Sequence, residues 1–132
     1  MTISVVIPAY NEEKYLPDTL ASLQSLDRKP YEIIVINGGS TDKTPDIAKQ
    51  YGATAITIPH RGIGFARQKG IEAATGDVVA FTDADTTVPH DWRTKIEYTL
   101  HMPNVSGTFG GYTVKDGPGL YKYFINFVYP CI

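Results

Sequence analysis

The chain has 132 residues, the size of one ordinary domain, and 42% of them are hydrophobic, which is enough to build a buried core. Its net charge of -2 gives no positive field that would attract nucleic acid, so we expect no nucleic-acid partner. The single cysteine, the absence of a basic segment before an apolar N-terminal stretch, and the lack of long apolar runs predict no internal disulfide, signal peptide or transmembrane helix. We therefore expect a cytoplasmic protein, either free or at the cytoplasmic face of a membrane.

Apolar runs alternate with segments of helical periodicity along the chain. Short apolar or β-branched runs predict four strands, at residues 3–8, 31–37, 53–58 and 77–83. Helical spacing of apolar residues predicts four helices, over residues 12–26, 42–52, 63–76 and 89–102. This alternation predicts an α/β, Rossmann-like three-layer fold, in which a mostly parallel sheet carries helices on both faces.

Polar motifs follow three of the predicted strands. They are "PAYNEE" at 8–13, "NGGSTD" at 37–42 and "TDADT" at 82–86. Ligands in such sheets bind at the carboxyl ends of the strands, so we expect the three motifs to converge on one edge. Within the second motif, Ser40 and Asp42 are interpreted as turn-forming and capping residues.

The two aspartates after the fourth strand are candidates for a metal site. Residues two apart in an extended segment point to the same side about 7 Å apart, so Asp83 and Asp85 could face one ligand while Ala84 turns away. Two carboxylates suit Mg²⁺ or Mn²⁺ when phosphates of a ligand complete the coordination. Alternatively, one aspartate caps the helix near Pro89 and the other is solvated, and the pair alone does not decide between these two interpretations.

Three stretches together resemble a known family. In order and spacing, "SVVIPAYNEEKYL", "EIIVINGGSTDKT" and "RGIGFARQKGIEAATGDVVAFTDADT" are similar to successive signatures of family 2 glycosyltransferases, which are nucleotide-sugar enzymes with a GT-A type fold. The resemblance covers residues 3–92. It matches the D-x-D motif of the family to Asp83, Ala84 and Asp85. It implies that Asp85 holds the metal, that Asp83 holds the ribose or the waters of the metal, and that the donor touches the motif at Asp83 and Ala84.

The resemblance also implies nucleotide contacts elsewhere at this edge. They would come from the turn after the first strand and from the third predicted helix: Pro8, Ala9, Tyr10, Glu12 and Arg67. The residues themselves leave alternatives open. Tyr10 could be a core aromatic, Glu12 could favour the dipole of the first helix, and Arg67 could lie on a solvated helix face.

One departure from the family concerns the nucleobase. The family usually has two aspartates where this chain has Asn37 and Gly38, and one of them commonly reads an N–H of the base. We assign both Asn37 and Gly38 to the substrate site. Asparagine could still pair with a base edge, whereas glycine has no side chain that could do so. His60 and Arg61 are further candidates, while the spacing of the histidines indicates no metal site.

A second departure concerns the catalytic base, which in the family lies beyond the D-x-D motif in an acceptor-binding half. After Asp91 the later carboxylates are Glu97 and Asp116, and neither stands in a similar motif. The catalytic residues therefore remain unassigned. We expect a donor-binding part of a longer protein, with residues 1–115 as the nucleotide-sugar domain and 116–132 as an apolar tail. That tail would begin the acceptor half or lie at a membrane interface, and its apolar residues could promote self-association.

The expected function is transfer of a sugar, with inversion, from a UDP- or GDP-linked donor to a saccharide or lipid-linked acceptor, with Mg²⁺ or Mn²⁺ as cofactor. The alternative is a nucleotide-binding or interaction module without turnover. A nucleotidyltransferase is disfavoured, because no glycine-rich loop with a lysine follows the first strand.

Overall fold

The computed structural model describes residues 1–110 and the backbone of residues 128–130. The elements in chain order are β1 (Ile3–Ala9), α1 (Leu16–Gln24), β2 (Glu32–Asn37), α2 (Thr44–Gln50), β3 (Thr54–Thr57), α3 (Ile63–Ala73), β4 (Val78–Phe81), α4 (Trp92–Leu100) and β5 (Val128–Pro130). All four predicted strands and all four predicted helices are present; β1 is one residue longer than predicted, and each of the others is shorter than predicted.

The sheet has the strand order β3-β2-β1-β4-β5 in the described part of the chain. Strands β1 to β4 are parallel, as predicted, and β5 is antiparallel to β4. The register pairs Ala9 with Asn37 and Asn37 with Thr57, so β1, β2 and β3 end level with one another. Because Phe81 pairs with Val6, the chain after β4 continues beside the last residues of β1.

Helices cover both faces of the sheet, which confirms the three-layer prediction. Residues Ile3, Val5 and Ile7 of β1 pack with α1, α2 and α4 on one face, whereas Val6 packs with α3 on the other. A strand buried on both faces has no polar alternation, and this explains the continuous apolar run of β1.

Helix α1 begins later than the sequence predicts. Asn11 has a left-handed backbone with φ of 52°, and Pro17 lies in the first turn of the helix, which begins at Leu16. The carbonyl of Glu12 accepts hydrogen bonds from the N–H groups of Tyr15 and Leu16, so Glu12 lies in the preceding turn. The alternative that placed Glu12 in the first turn of the helix is therefore wrong.

The structure does not describe most of the predicted tail. Of residues 116–132, it describes only Val128–Pro130, whose backbone forms β5. The predicted membrane contact and self-association fall on residues outside the described part. Within the described residues, no helix has the length and apolar character needed to cross a membrane.

Candidate functional site

The loops after β1 and β2 are held together at the carboxyl edge of the sheet. The N–H of Gly38 donates to the carbonyl of Ala9 at 2.9 Å. Asn11 then links the two loops twice, because its N–H donates to Ser40 Oγ at 2.9 Å and its Oδ1 accepts from the N–H of Thr41 at 2.8 Å. The prediction that these two motifs converge is confirmed, and so is the turn-forming role of Ser40.

Asp42 fastens the same loops together through its carboxylate. Its oxygens accept hydrogen bonds from the N–H of Glu13 and from both the N–H and the hydroxyl of Thr44. Burial raises the pKa of Asp42, but these hydrogen bonds outweigh burial and hold its pKa below the usual value. Asp42 thus stabilises the turn before α2, one residue ahead of the N-cap residue Lys43, which agrees with the turn-forming part of the prediction.

Asn37 does not face the site in the way the sequence suggested. Its side chain is 2% exposed, its Nδ2 donates to Thr57 Oγ1 at 3.1 Å, and its Oδ1 accepts from the N–H of Ser40 at 3.0 Å. The amide therefore ties the end of β2 to β3 and to the following loop. The expectation that Asn37 reads a base edge is corrected, because its polar atoms bind protein groups.

Acidic side chains from three loops lie in one electrostatic neighbourhood. The pKa of Glu12 is raised, first by partial burial and then by repulsion from Asp85, Asp42 and Asp83. Excess negative charge on hard oxygen donors is chemically suited to a divalent cation. Within residues 1–110 no three His, Cys, Asp or Glu side chains are grouped as a complete metal site, so a cation here would need ligands from a bound molecule.

Ala84 lies between Asp83 and Asp85, the two candidate metal-binding residues, and packs in the core. Its side chain is 4% exposed and packs in the core, while its carbonyl accepts a hydrogen bond from Thr19 Oγ1 of α1 at 2.8 Å. Asp83 is partly exposed and Asp85 is exposed. The expected alternation is therefore present: the side chain of Ala84 faces the core, and a contact between its backbone and a donor stays a prediction.

Arg67 extends from α3 toward the carboxylates. Its Nη2 lies 3.6 Å from Oδ1 of Asp83, and its guanidinium carbon lies 5.7 Å from the centre of the Phe81 ring. Its Nε is buried and has no hydrogen-bond partner among the described residues. Arg67 thus faces the end of β4, with its side chain partly exposed.

A cavity of about 200 Å³ opens between the loop after β1 and the loop after β3. It is lined by Pro8, Ala9, Tyr10, Glu12, Gly38, Ile58, Pro59, His60, Arg61, Gly62, Ile63 and Ala66. Tyr10 is 46% exposed, and its ring lies 4.1 Å from the ring of His60 at an interplanar angle of 37°. The alternative of a core tyrosine is therefore wrong.

Sequence reasoning missed most of the cavity wall that follows β3. Ile58, Pro59 and Ile63 belong to that wall. These residues could have been predicted from the sequence, because ligands bind at the carboxyl ends of parallel strands and this rule also applies to the third strand.

Glu97 lies at the opposite edge of the sheet. It forms ion pairs with Arg28 and Arg93, and Arg93 also donates to the carbonyl of Met1 at the start of the chain. Its carboxylate is occupied and remote from the cavity. Asp116, the other late carboxylate, lies outside the described residues.

Comparison with known proteins agrees with this geometry. Residues 4–126 match the sequence profile of Glycosyl transferase family 2. The putative glycosyltransferase EpsH of Bacillus subtilis (strain 168) is 38% identical over 95 residues, which cover 68% of this chain and 28% of that protein.

Two solved structures extend the likeness to three dimensions. TarS 1-349 of S. aureus has a TM-score of 0.82 and 25% identity, covering 91% of this chain and 38% of that one. Glucosyl-3-phosphoglycerate synthase from Mycobacterium tuberculosis, in complex with Mn²⁺, UDP and glucosyl-3-phosphoglycerate, has a TM-score of 0.66 and 32% identity, covering 82% of this chain and 42% of that one. The chain spans less than half the length of each of these three proteins. It belongs to Glycosyl transferase family 2 and has the sheet and helix arrangement of the GT-A glycosyltransferases.

Proposed function

We propose that the chain binds a nucleotide-diphospho-sugar, linked to UDP or GDP, together with Mg²⁺ or Mn²⁺. It would thereby supply the donor site of a glycosyltransferase that inverts the anomeric centre. One observation carries this proposal: the acidic group of Glu12, Asp83 and Asp85, with the cation of Arg67 beside it, lies at the carboxyl edge of a parallel sheet next to an open cavity.

The cavity is suited to the nucleoside. Pro8 and Ala9 form an apolar floor at the end of β1, and Tyr10 presents a half-exposed aromatic face on which a base could stack. Glu12 lies at the same wall, where its carboxylate could accept hydrogen bonds from ribose hydroxyls. Gly38 also lines the cavity, next to the ring of His60, and offers no side chain of its own. These residues would bind and orient the donor.

The diphosphate would lie between Arg67 and the two aspartates. Arg67 offers charge-assisted hydrogen bonds, and its buried Nε has no partner among the described residues. Asp83 and Asp85 would hold the divalent cation, which when bound neutralises charge on the diphosphate and so favours its departure. The solved relative that contains both Mn²⁺ and UDP supports this pairing of metal and nucleotide.

The acceptor, a saccharide or a lipid-linked sugar, remains part of the proposal, as does the location at the cytoplasmic side of a membrane. For the chain itself, a donor-binding module without turnover is the second candidate. Two carboxylates, Asp91 and Glu97, follow Asp85 within residues 1–110. Both are in ion pairs, and this favours a module without a catalytic base.

Isothermal titration calorimetry tests the proposal directly. We expect the 132-residue chain to bind UDP or GDP more tightly with Mn²⁺ than with a chelator, because two aspartates repel a diphosphate unless a cation lies between them. Asp85→Ala should remove this metal effect. Asp42→Asn is the matched control and should retain it, because Asp42 fastens the loops rather than facing a ligand. Equal affinity with metal and with chelator in the unaltered chain would contradict the metal assignment.

A further inference from the structure

Gly38 and His60 share one small space at the mouth of the cavity. A Cβ atom built on Gly38 would lie 3.3 Å from Nδ1 of His60 and 3.8 Å from Cβ of Tyr10. That separation from Nδ1 is tighter than most real Cβ contacts, so a side chain at position 38 would displace the imidazole by a few tenths of an ångström. The ring of His60 therefore occupies the region that a side chain of residue 38 would use.

His60 is also held in a defined position. Its ring lies against that of Tyr10, with centroids 4.1 Å apart, and this tilted contact is within the usual range for aromatic pairs. Both rings line the cavity of about 200 Å³. The pair thus forms one continuous aromatic wall next to Gly38.

Other polar groups of this wall include the N–H of Gly38, the guanidinium of Arg61 and the carboxylate of Glu12. The N–H of Gly38 already donates to the carbonyl of Ala9. The guanidinium of Arg61 lies over the Phe65 ring at 5.3 Å, on the side of α3, and Glu12 belongs to the acidic group. An imidazole carries two ring nitrogens that can donate and accept hydrogen bonds, so His60 is the side chain beside Gly38 best equipped to pair with a planar ring edge.

We propose that His60 contacts the nucleobase and determines which base the site accepts, supplying the polar side chain that Gly38 lacks. This inference rests on the proposed function, because it assumes that a nucleoside diphosphate occupies the cavity. The ring of His60 would extend the stacking surface of Tyr10, and one ring nitrogen would pair with the edge of the base. Base preference in this chain therefore comes from the loop after β3 rather than from the end of β2.

Titration calorimetry with four nucleoside diphosphates tests the proposal. The 132-residue chain is titrated with UDP, GDP, CDP and ADP in the presence of Mn²⁺, and with Mn²⁺-pyrophosphate as a probe that has no base. We expect one base to be preferred about tenfold, the difference that one satisfied hydrogen bond typically makes. His60→Phe keeps a ring against Tyr10 but removes the nitrogens, so the preference should fall below about threefold while pyrophosphate affinity is unchanged.

Two further variants separate the roles of the ring and the nitrogens. His60→Gln keeps a donor and an acceptor and should retain part of the preference, while binding all four nucleotides more weakly because the ring is lost. His90→Phe is the matched control, since His90 is exposed and its carbonyl accepts from the N–H of Asp27 near the opposite edge of the sheet. Its base preference should equal that of the unaltered chain. Circular dichroism melts of each variant report whether it is folded.

The outcomes separate this proposal from the proposed function. If His60→Phe keeps the full preference, or if the unaltered chain binds all four nucleotides equally, the role of His60 is overturned and donor binding stands. If the folded, unaltered chain binds no nucleoside diphosphate with Mn²⁺, both proposals are overturned. A lower affinity of His60→Phe for pyrophosphate as well would also overturn the base contact, because the residue would then act on the diphosphate.

Discussion

The guanidinium of Arg67 lies 3.6 Å from Oδ1 of Asp83, and the two side chains are 35% and 38% exposed. Ion pairs so open to water contribute little to stability, because solvent screens them. Stability from this ion pair therefore does not account for the position of Arg67, which fits the proposed contact with a diphosphate. A cation beside a candidate metal-binding carboxylate can hold the diphosphate from one side while the metal holds it from the other.

Replacement of Arg67 by alanine should weaken nucleoside diphosphate binding about tenfold to a hundredfold. One charge-assisted hydrogen bond would be lost, of roughly 1.5–3 kcal/mol in folded proteins. Calorimetry with UDP and Mn²⁺ measures the change. Lys69→Ala removes the same charge from the same helix, at a residue paired with Glu72, and should leave the affinity nearly unchanged. Equal losses in both variants would show a general charge effect instead of a contact.

Glu12→Gln should stabilise the chain at neutral pH when no metal is bound. Burial and neighbouring carboxylates raise the folded-state pKa of Glu12 above its ordinary value of 4.5. Protonated Glu12 therefore stabilises the folded state fully at pH values below the pKa that it has in the unfolded chain. This stabilisation is lost as the pH rises through its pKa in the folded chain. At neutral pH the ionised Glu12 thus carries a cost that glutamine removes, with a gain below about 1 kcal/mol because the group is largely solvated.

Thermal melts in chelator across the acidic to neutral range measure this effect. The advantage of Glu12→Gln should disappear below the ordinary glutamate pKa and shrink when Mn²⁺ is added at neutral pH. Glu72→Gln is a control whose effect on stability should be the opposite, because hydrogen bonds from Lys69 and Gln68 lower the pKa of Glu72. It should lose stability at neutral pH. A Glu12→Gln variant less stable than the unaltered chain at neutral pH would contradict the repulsion.

The sheet was predictable because its strands are buried on both faces. Residues 5–9 and 33–36 are apolar without alternation, a pattern typical of a parallel strand covered on both faces. The short strand β5 was not predicted as part of this sheet. Three residues carry no readable period, and only pairing with β4 defines them as a strand.

The sequence predicted which loops meet at the site, because strand order alone determines which loops are neighbours. It predicted less well which side chains face the site. The convergence of the loops after β1 and β2 follows from parallel topology. The inward turn of Asn37 does not, because it depends on a hydroxyl of Thr57 that lies beside it only through the β2–β3 register. The proximity of Gly38 to the ring of His60 likewise brings together residues far apart in sequence.

Gly70→Ala should destabilise the chain by about 1–3 kcal/mol, the usual cost of overpacking a core. A Cβ at Gly70 would lie 2.2 Å from Cγ1 of Val6, so α3 or β1 would have to move. Gly64→Ala in the same helix meets nothing within 4 Å and should be neutral or stabilising by up to about 1 kcal/mol. Urea unfolding of both variants measures the difference, and equal stability would contradict close packing of α3 on β1.

Glu97→Gln should cost roughly 2 kcal/mol of folding stability, because hydrogen bonds to charged groups would be lost from a side chain that is 12% exposed. Nucleotide affinity should be unchanged, since Glu97 binds Arg28 and Arg93 at the edge of the sheet opposite the cavity.

Asp91→Asn provides the comparison at the N-cap of the same helix, because its pair with Lys95 is exposed and should contribute at most about 1 kcal/mol. Urea unfolding and calorimetry with UDP and Mn²⁺ measure the two quantities separately for each variant. If Glu97 were a catalytic base, its replacement would abolish sugar transfer while leaving stability intact. The ion pairs predict the opposite result for Glu97→Gln: the fold should be less stable, and the molecules that remain folded should bind the nucleotide with unchanged affinity.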